Sequence, residues 1–582
     1  MRLSHALLSS LAGLSLSLPT LAASQAADAV APEGASGLEH KQEVQAQRFM
    51  VAAANPLAVE AGYQVLKQGG NAVDAMVAVQ TMLGLVEPQS SGLGGGAFVV
   101  YYDAANGSLT TFDGRETAPL QATPELFLNP DGSEMKFYAA VVGGRSVGTP
   151  GTVKLLGELH QRYGKQPWAE LLQPAIRQAS EGFAVSPRLA GAIAESAEHL
   201  QRYPSTKAYF FNGEQPRQAG ELLTNPEYAD TLRTLAEQGH EAFYQGPLAE
   251  AIVAAVQHAS DNPGVLSLQD FATYRIKQRP AVCLAYLQYD VCGMGPPSSG
   301  ALTLGQILGI TSHFDLASLG PQSAQAWQII GDASRLAFAD RGRYMADTDY
   351  VPLPQGLLQP DYLAARAKLI TPGQALAEAN PGEPQWDKPI ALADDQSLEL
   401  PSTSHISIVD AEGNALSMTT TIENGFGSTL MAKGFLLNNE LTDFSFATHA
   451  DGYPIANRLE PGKRPRSSMA PTIVMQAGKP YMVVGSPGGS RIIGYVAKTL
   501  IAHLQWGLPV QEAISLPNLV NRFGSYDLEA GSSATQLEDE LIQMGFKTSV
   551  RELNSGIQAI VLSPEGLRGG ADPRREGIAK GD

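Results

Sequence analysis

Thr403-Ser404-His405-Ile406-Ser407-Ile408-Val409-Asp410 alternates polar and apolar residues from His405 to Ile408, and leads through Ala411-Glu412-Gly413-Asn414 into the Thr-rich, apolar stretch Ala415 to Ile422. Strand-like residues on both sides of a short connection predict a β-hairpin, with Gly413 available for positive φ. A three-residue loop, Ala411-Glu412-Gly413, sets Asp410 opposite Asn414, and the register carries back until Thr403 faces Thr421. Two hydroxyls then meet at the open end of the hairpin. If the chain is cut before Thr403, the freed α-amine can serve as base for its own side-chain oxygen while the Thr421 hydroxyl holds that amine, and no histidine is required. Taken alone, the same pattern also describes an ordinary half-exposed strand. The residues downstream decide between the two.

Four segments follow in order: Thr403-Ser404-His405, Leu437-Asn438-Asn439-Glu440-Leu441-Thr442-Asp443-Phe444-Ser445, Lys463-Arg464-Pro465-Arg466-Ser467-Ser468-Met469-Ala470-Pro471-Thr472 and Gly485-Ser486-Pro487-Gly488-Gly489-Ser490-Arg491. Upstream lie Gly69-Gly70-Asn71-Ala72-Val73-Asp74-Ala75, Leu93-Gly94-Gly95-Gly96, Phe112-Asp113-Gly114-Arg115-Glu116-Thr117-Ala118-Pro119 and Pro296-Pro297-Ser298-Ser299-Gly300. Together they resemble the ordered motifs of the γ-glutamyltransferases, also called glutathione hydrolases, from about residue 48 to the C-terminus. The resemblance implies an N-terminal-nucleophile hydrolase: an α+β chain folded as an αββα sandwich of two stacked sheets, to which both portions contribute. It also implies self-cleavage between Ser402 and Thr403 into a large portion (48–402) and a small catalytic portion (403–582) that stay together as a heterodimer. No cofactor or metal is expected.

The site roles follow from the resemblance, position by position. Thr403 becomes the nucleophile and Thr421 its supporting hydroxyl. Arg115 is the one strong cation for the substrate α-carboxylate, a task suited to a planar guanidinium. Ser467 and Ser468 add hydroxyl donors to that carboxylate, Glu440 and Asp443 receive the α-ammonium, and Gly488 and Gly489 offer backbone N–H groups to the oxyanion. The acyl group is then passed to water or to an amino-acid or peptide acceptor.

At Glu423, glutathione-hydrolysing members commonly carry Asn, and a carboxylate there cannot donate a hydrogen bond unless protonated. Thr-Ile-Glu is more like the branch with cephalosporin acylase-like and poly-γ-glutamate-processing relatives. Glu423 either repels the substrate carboxylate or pairs with its ammonium, so acylase activity on glutaryl amides or poly-γ-glutamate stands as the alternative. Phe446 to Pro465 reads as a partial lid that keeps Tyr453, which leaves the balance between hydrolysis and transfer open.

Two readings from other classes compete. Gly144-Arg145-Ser146-Val147-Gly148 satisfies the Gly-x-Ser-x-Gly pattern of serine hydrolases, but Thr149-Pro150-Gly151 delays the helix that a nucleophile elbow needs. A non-catalytic relative that only binds an amino-acid-like ligand has no need of Thr403, Thr421 and Gly488-Gly489 together. The formal charge of −18 over 582 residues disfavours nucleic acid as a partner. Arg2, the apolar stretch Ala6 to Leu21 and the small residues Ala22 to Ala27 read as an export signal over 1–26, followed by a disordered leader over 27–47 and a periplasmic or secreted destination. No membrane span is expected after signal removal. Cys283 and Cys292, the only two cysteines, flank a hairpin with a two-residue turn at Leu287-Gln288. Facing each other, they form either a disulfide or two free thiols.

Overall fold

The computed structural model describes residues 37–395, 397, 400 and 402–582. In chain order, the strands of its two large sheets are β1 (Val44–Ala46), β2 (Met50–Ala53), β3 (Gly96–Asp103), β4 (Ser108–Gly114), β5 (Lys277–Arg279), β6 (Val282–Tyr286), β7 (Tyr289–Gly293), β8 (Ser404–Val409), β9 (Ala415–Thr421), β10 (Thr472–Gln476), β11 (Lys479–Gly485), β12 (Gln558–Ser563), β13 (Gly566–Ala571) and β14 (Ile578–Gly581). Both sheets are seven-stranded and antiparallel throughout, ordered β1-β13-β12-β11-β10-β7-β6 and β14-β2-β8-β9-β3-β4-β5. Each sheet takes strands from both sides of residue 403.

The packing helices are α1 (Pro56–Lys67), α2 (Ala72–Val86), α3 (Thr152–Tyr163), α4 (Gly300–Thr311), α5 (Ala324–Tyr344) and α6 (Ile492–Leu500). Successive strand side chains point to opposite faces, and both faces are buried here, so they sort into separate cores. Val51, Val99, Ile406 and Met418 of the second sheet pack with α1, α2 and α3. Val291, Val474, Met482 and Ala559 of the first sheet pack with α4, α5 and α6. Met50, Val100, Val409, Ile473, Val483 and Ile560 meet between the sheets. This is the αββα sandwich.

The β8–β9 hairpin holds the expected register: Ser404 pairs with Thr420 and Val409 with Ala415, Asp410 N donates to Asn414 O at 3.1 Å, and Gly413 has φ 85°. The far end of the hairpin is anchored to α2. Asn71 Oδ1 accepts from Val73 N (3.1 Å) and Asp74 N (3.0 Å), Asp74 Oδ2 accepts from Asn71 N (3.0 Å), and Asp410 Oδ2 accepts from Ala72 N (2.9 Å). This capping box stabilises the helix by about 1 kcal/mol, and it ties the Gly-Asn-Ala-Val-Asp motif to the turn.

Several expectations change. The export signal lies outside the described residues. The disordered leader does not extend to residue 47: Lys41 Nζ donates to Asp572 O (2.8 Å), Glu39 N donates to Pro573 O (2.9 Å), and β1 covers the otherwise unpaired edge of β13. Between Trp168 and Glu181 the chain forms two helices, Trp168–Leu171 and Gln173–Glu181, because Pro174 has no N–H to continue a single ladder. Of the two cysteine states, the structure holds the disulfide. Cys283 pairs with Cys292 across β6–β7, and Leu287 takes the left-handed φ of 56° that the Gly-free turn requires. Among the described residues no helix is long and apolar enough to cross a membrane.

Candidate active site

Thr403 sits at the mouth of the hairpin with its Oγ against the Ser402 carbonyl oxygen and 3.5 Å from Thr421 Oγ. Thr421 Oγ donates to the same Ser402 carbonyl at 3.1 Å and accepts from Glu423 N at 2.8 Å. Both hydroxyls thus meet the carbonyl oxygen of the bond expected to break. The Gly94-Gly95-Gly96 run permits this crowding: a Cβ on Gly95 would lie 2.0 Å from Thr421 O, and one on Gly94 2.1 Å from Leu436 O.

A small pocket of about 20 Å³ lies over this bond, lined by residues that include Arg115, Thr403, Thr421, Glu423, Glu440, Asp443, Ser467, Ser468 and Gly489. Leu400 and Ser402, from the segment before the cut, also line it. A wider depression of about 610 Å³ beside Lys154, Glu241 and Arg275 contains none of the expected site residues, and its Lys154 is paired with Glu241 at 2.6 Å. Gly488 lies one residue back from the pocket with φ 134°, where a Cβ would meet Tyr495 at 2.7 Å; Gly489 also has positive φ, 59°.

Arg115 is fully buried. Its guanidinium contacts Glu440 and donates to Asp443 Oδ2 at 2.5 Å, to Arg466 O at 2.8 Å and to Pro465 O at 3.2 Å. The residues expected to grip opposite ends of a substrate head group are therefore in contact with each other in the uncut chain. Burial opposes the Arg115 charge, but Glu440 and Asp443 hold its pKa above the ordinary value. Burial, then repulsion from Glu440, pushes the Glu116 carboxyl well above the usual range. Burial also raises Glu440, against the pull of Arg115. Glu423 is likewise pushed well up, by burial first and then by Asp443 and Glu440, while Asn439 Nδ2 donates to its carboxyl. A neutral Glu423 can donate a hydrogen bond.

A second guanidinium touches a pocket-lining residue without lining the pocket itself. Arg341, from α5, donates from Nη2 to Ser468 Oγ at 2.7 Å and from Nε to Ser299 Oγ at 2.8 Å. Neither Arg341 nor Glu116 was given a role by the motifs. Arg341 sits in a helix that is buried along most of its length and also carries Asp332, Arg335 and Asp340, so its charge alone does not single it out. Ser146 is no elbow nucleophile: it is buried in the short turn Gly144–Ser146 with its hydroxyl donating to Val141 O at 2.6 Å.

His405 lies near Thr403 but is occupied structurally. Its ring bridges Thr419 Oγ1 (2.9 Å) and Ser407 Oγ (3.1 Å) between the sheets, and burial pushes its pKa down to about 3. Below pH 6.5 the unfolded chain takes up a proton that the folded chain refuses until about pH 3. Folding stability from this group is therefore present above pH 6.5 and lost as pH falls, by an amount on the order of 4 kcal/mol. His405→Gln is expected to flatten the acid limb of the melting temperature between pH 6.5 and 4; an unchanged slope would mean the ring titrates normally.

A family profile described as gamma-glutamyltranspeptidase matches residues 58–582. A glutathione hydrolase proenzyme of Bacillus subtilis (strain 168) is 37% identical over 557 residues, 93% of each chain. One from Escherichia coli (strain K12) is 36% identical over 570 residues, 95% of each. Among solved structures, a cephalosporin acylase from Bacillus halodurans superposes with a TM-score of 0.82 at 28% identity, covering 94% of this chain and 97% of that one.

Proposed function

Since the chain belongs to the gamma-glutamyltranspeptidase family, we propose that it is exported, cuts itself before Thr403, and then hydrolyses or transfers the γ-glutamyl group of glutathione and related amides. The observation that carries this is the placement of Thr403 Oγ against the Ser402 carbonyl, with the Thr421 hydroxyl bonded to the same oxygen at 3.1 Å. In maturation, Thr403 Oγ attacks the Ser402 carbonyl carbon, the peptide C–N bond breaks, and the hydroxyl proton passes to the departing Thr403 nitrogen. Water then opens the resulting ester. In turnover the freed amine takes the Oγ proton as Oγ attacks the γ-carbonyl, and the leaving amine carries that proton away. Water or an acceptor amine resolves the ester.

Gly488 and Gly489 would stabilise the oxyanion through backbone N–H groups. Arg115, Ser467 and Ser468 would hold the α-carboxylate, with Glu440 and Asp443 turning from Arg115 toward the incoming ammonium. The interleaved sheets keep the two chains together after cleavage, and the Cys283–Cys292 bridge suits an oxidising compartment outside the cytoplasm.

The second reading, an acylase for glutaryl amides or poly-γ-glutamate, is favoured by Glu423. Its raised pKa supports a neutral donor rather than a repelling charge, so we expect Glu423→Gln to keep glutathione turnover within a few-fold and Glu423→Ala to lower it about tenfold. Steady-state kinetics on γ-glutamyl anilide, glutathione, glutaryl amides and poly-γ-glutamate test both readings. A preference for glutaryl amides in the unaltered enzyme, or a gain for glutathione in Glu423→Asn, would overturn the γ-glutamyl reading.

A further inference from the structure

Arg341 lies near the end of α5 and is only 3% exposed, a costly place for a charge unless its donors are used. They reach Ser299 Oγ at 2.8 Å and Ser468 Oγ at 2.7 Å, and the guanidinium carbon sits 5.4 Å from the Phe338 ring centroid. A guanidinium has donors and no acceptor. Each hydroxyl it meets must therefore accept through oxygen and turn its own hydrogen elsewhere.

For Ser299 the destination is visible: its hydroxyl donates to Ser467 O at 2.8 Å, and its backbone N donates to the same carbonyl at 2.8 Å. The Ser467-Ser468 backbone is thus clamped from behind. For Ser468, whose side chain lines the pocket, the hydrogen is turned away from Arg341. Ser467 is engaged in the same sense, its Oγ accepting from Met469 N at 3.1 Å.

We propose that Arg341 is a positioning residue for recognition of the substrate's α-carboxylate, fixing the Ser468 hydroxyl with its proton directed at that carboxylate. This rests on the reading of Ser467 and Ser468 as carboxylate ligands.

The test compares the wild type, Arg341→Met, Ser468→Ala and the double variant on two amides: γ-glutamyl anilide and 4-aminobutyryl anilide, which is the same acyl chain without the α-carboxylate. The second is read as a competitive inhibitor if it is not turned over. Arg341→Met is expected to lower kcat/KM on γ-glutamyl anilide about tenfold, mostly through KM, with no further loss when Ser468 is already Ala and no change on the 4-aminobutyryl compound. Arg341→Lys, which keeps the charge, should recover part of the KM loss. Multiplicative losses in the double variant would show that Arg341 does not act through Ser468. Equal losses on both amides would show that it only supports the fold. An unaltered kcat/KM in Ser468→Ala alone would instead remove the carboxylate reading beneath the proposal, a pattern distinct from the other two. Should Arg341→Met fail to mature, Arg341→Lys and Ser299→Ala, which removes the other anchor of the guanidinium, carry the same comparison.

Discussion

Thr403→Ala is expected to leave one uncut chain with γ-glutamyl turnover reduced by roughly 10,000-fold or more, where the unaltered protein gives chains of about 40 and 19 kDa at ~110 Da per residue. The size of the effect follows from one atom serving two reactions. Thr403 Oγ is the group lying against the Ser402 carbonyl, and the amine it would later use as base does not exist until that peptide is broken. Thr403→Ser keeps the hydroxyl and should mature, more slowly. Ser146→Ala should cut and turn over normally, because that hydroxyl is spent on Val141 O. Intact mass spectrometry and anilide kinetics read both quantities. An active protein that stays as one chain would sink the self-processing reading, and loss of both functions in Ser146→Ala would revive the serine-hydrolase one.

Arg115→Lys carries the next largest effect. The guanidinium serves Glu440, Asp443, Pro465 O and Arg466 O together, and a single ammonium cannot span acceptors on that many sides. We expect kcat/KM on γ-glutamyl anilide to fall by roughly 1–3 kcal/mol, with self-cleavage retained. Glutaryl anilide sharpens the result, since it keeps the carboxylate and lacks the ammonium. If Arg115 binds the carboxylate, both amides suffer. If Arg115 acts only by holding Glu440 and Asp443 in place for the ammonium, the loss falls on the γ-glutamyl compound alone. Wild-type kinetics on both would remove Arg115 from recognition altogether.

What was legible in the sequence was mostly local. The β8–β9 register follows from period-two side chains and a glycine where the turn needs positive φ, which is enough to bring Thr403 and Thr421 together. The pairing of β14 with β2, or of β1 with β13, joins segments some 500 residues apart, and no short-range pattern encodes it. Local pattern also yielded to local chemistry at Pro174, and to β1, where a polar stretch is ordered by the sheet edge it covers.

Charge pairing was the least legible. Arg115, Glu440 and Asp443 each suit a substrate group, yet buried charges need partners within the fold, and these three face one another. The same need hid Arg341, whose helical setting gives no hint that its partners are Ser299 and Ser468. The state of Glu423 depends on Asp443 and Glu440 nearby, and a residue name does not carry a protonation state.

The interleaving of strands from both sides of residue 403 has a consequence for how this protein must be made. Before the cut, the pairing of β8 with β2 and of β10 with β7 is assembled by a chain whose ends are tethered, so folding is independent of concentration. Afterwards, regaining the same sheets from the unfolded state is a bimolecular encounter between two long fragments, each exposing open sheet edges prone to aggregate. If the chain is cut before Thr403 as proposed, that peptide bond is a scaffold used once, and the working enzyme persists by unfolding slowly rather than by refolding readily.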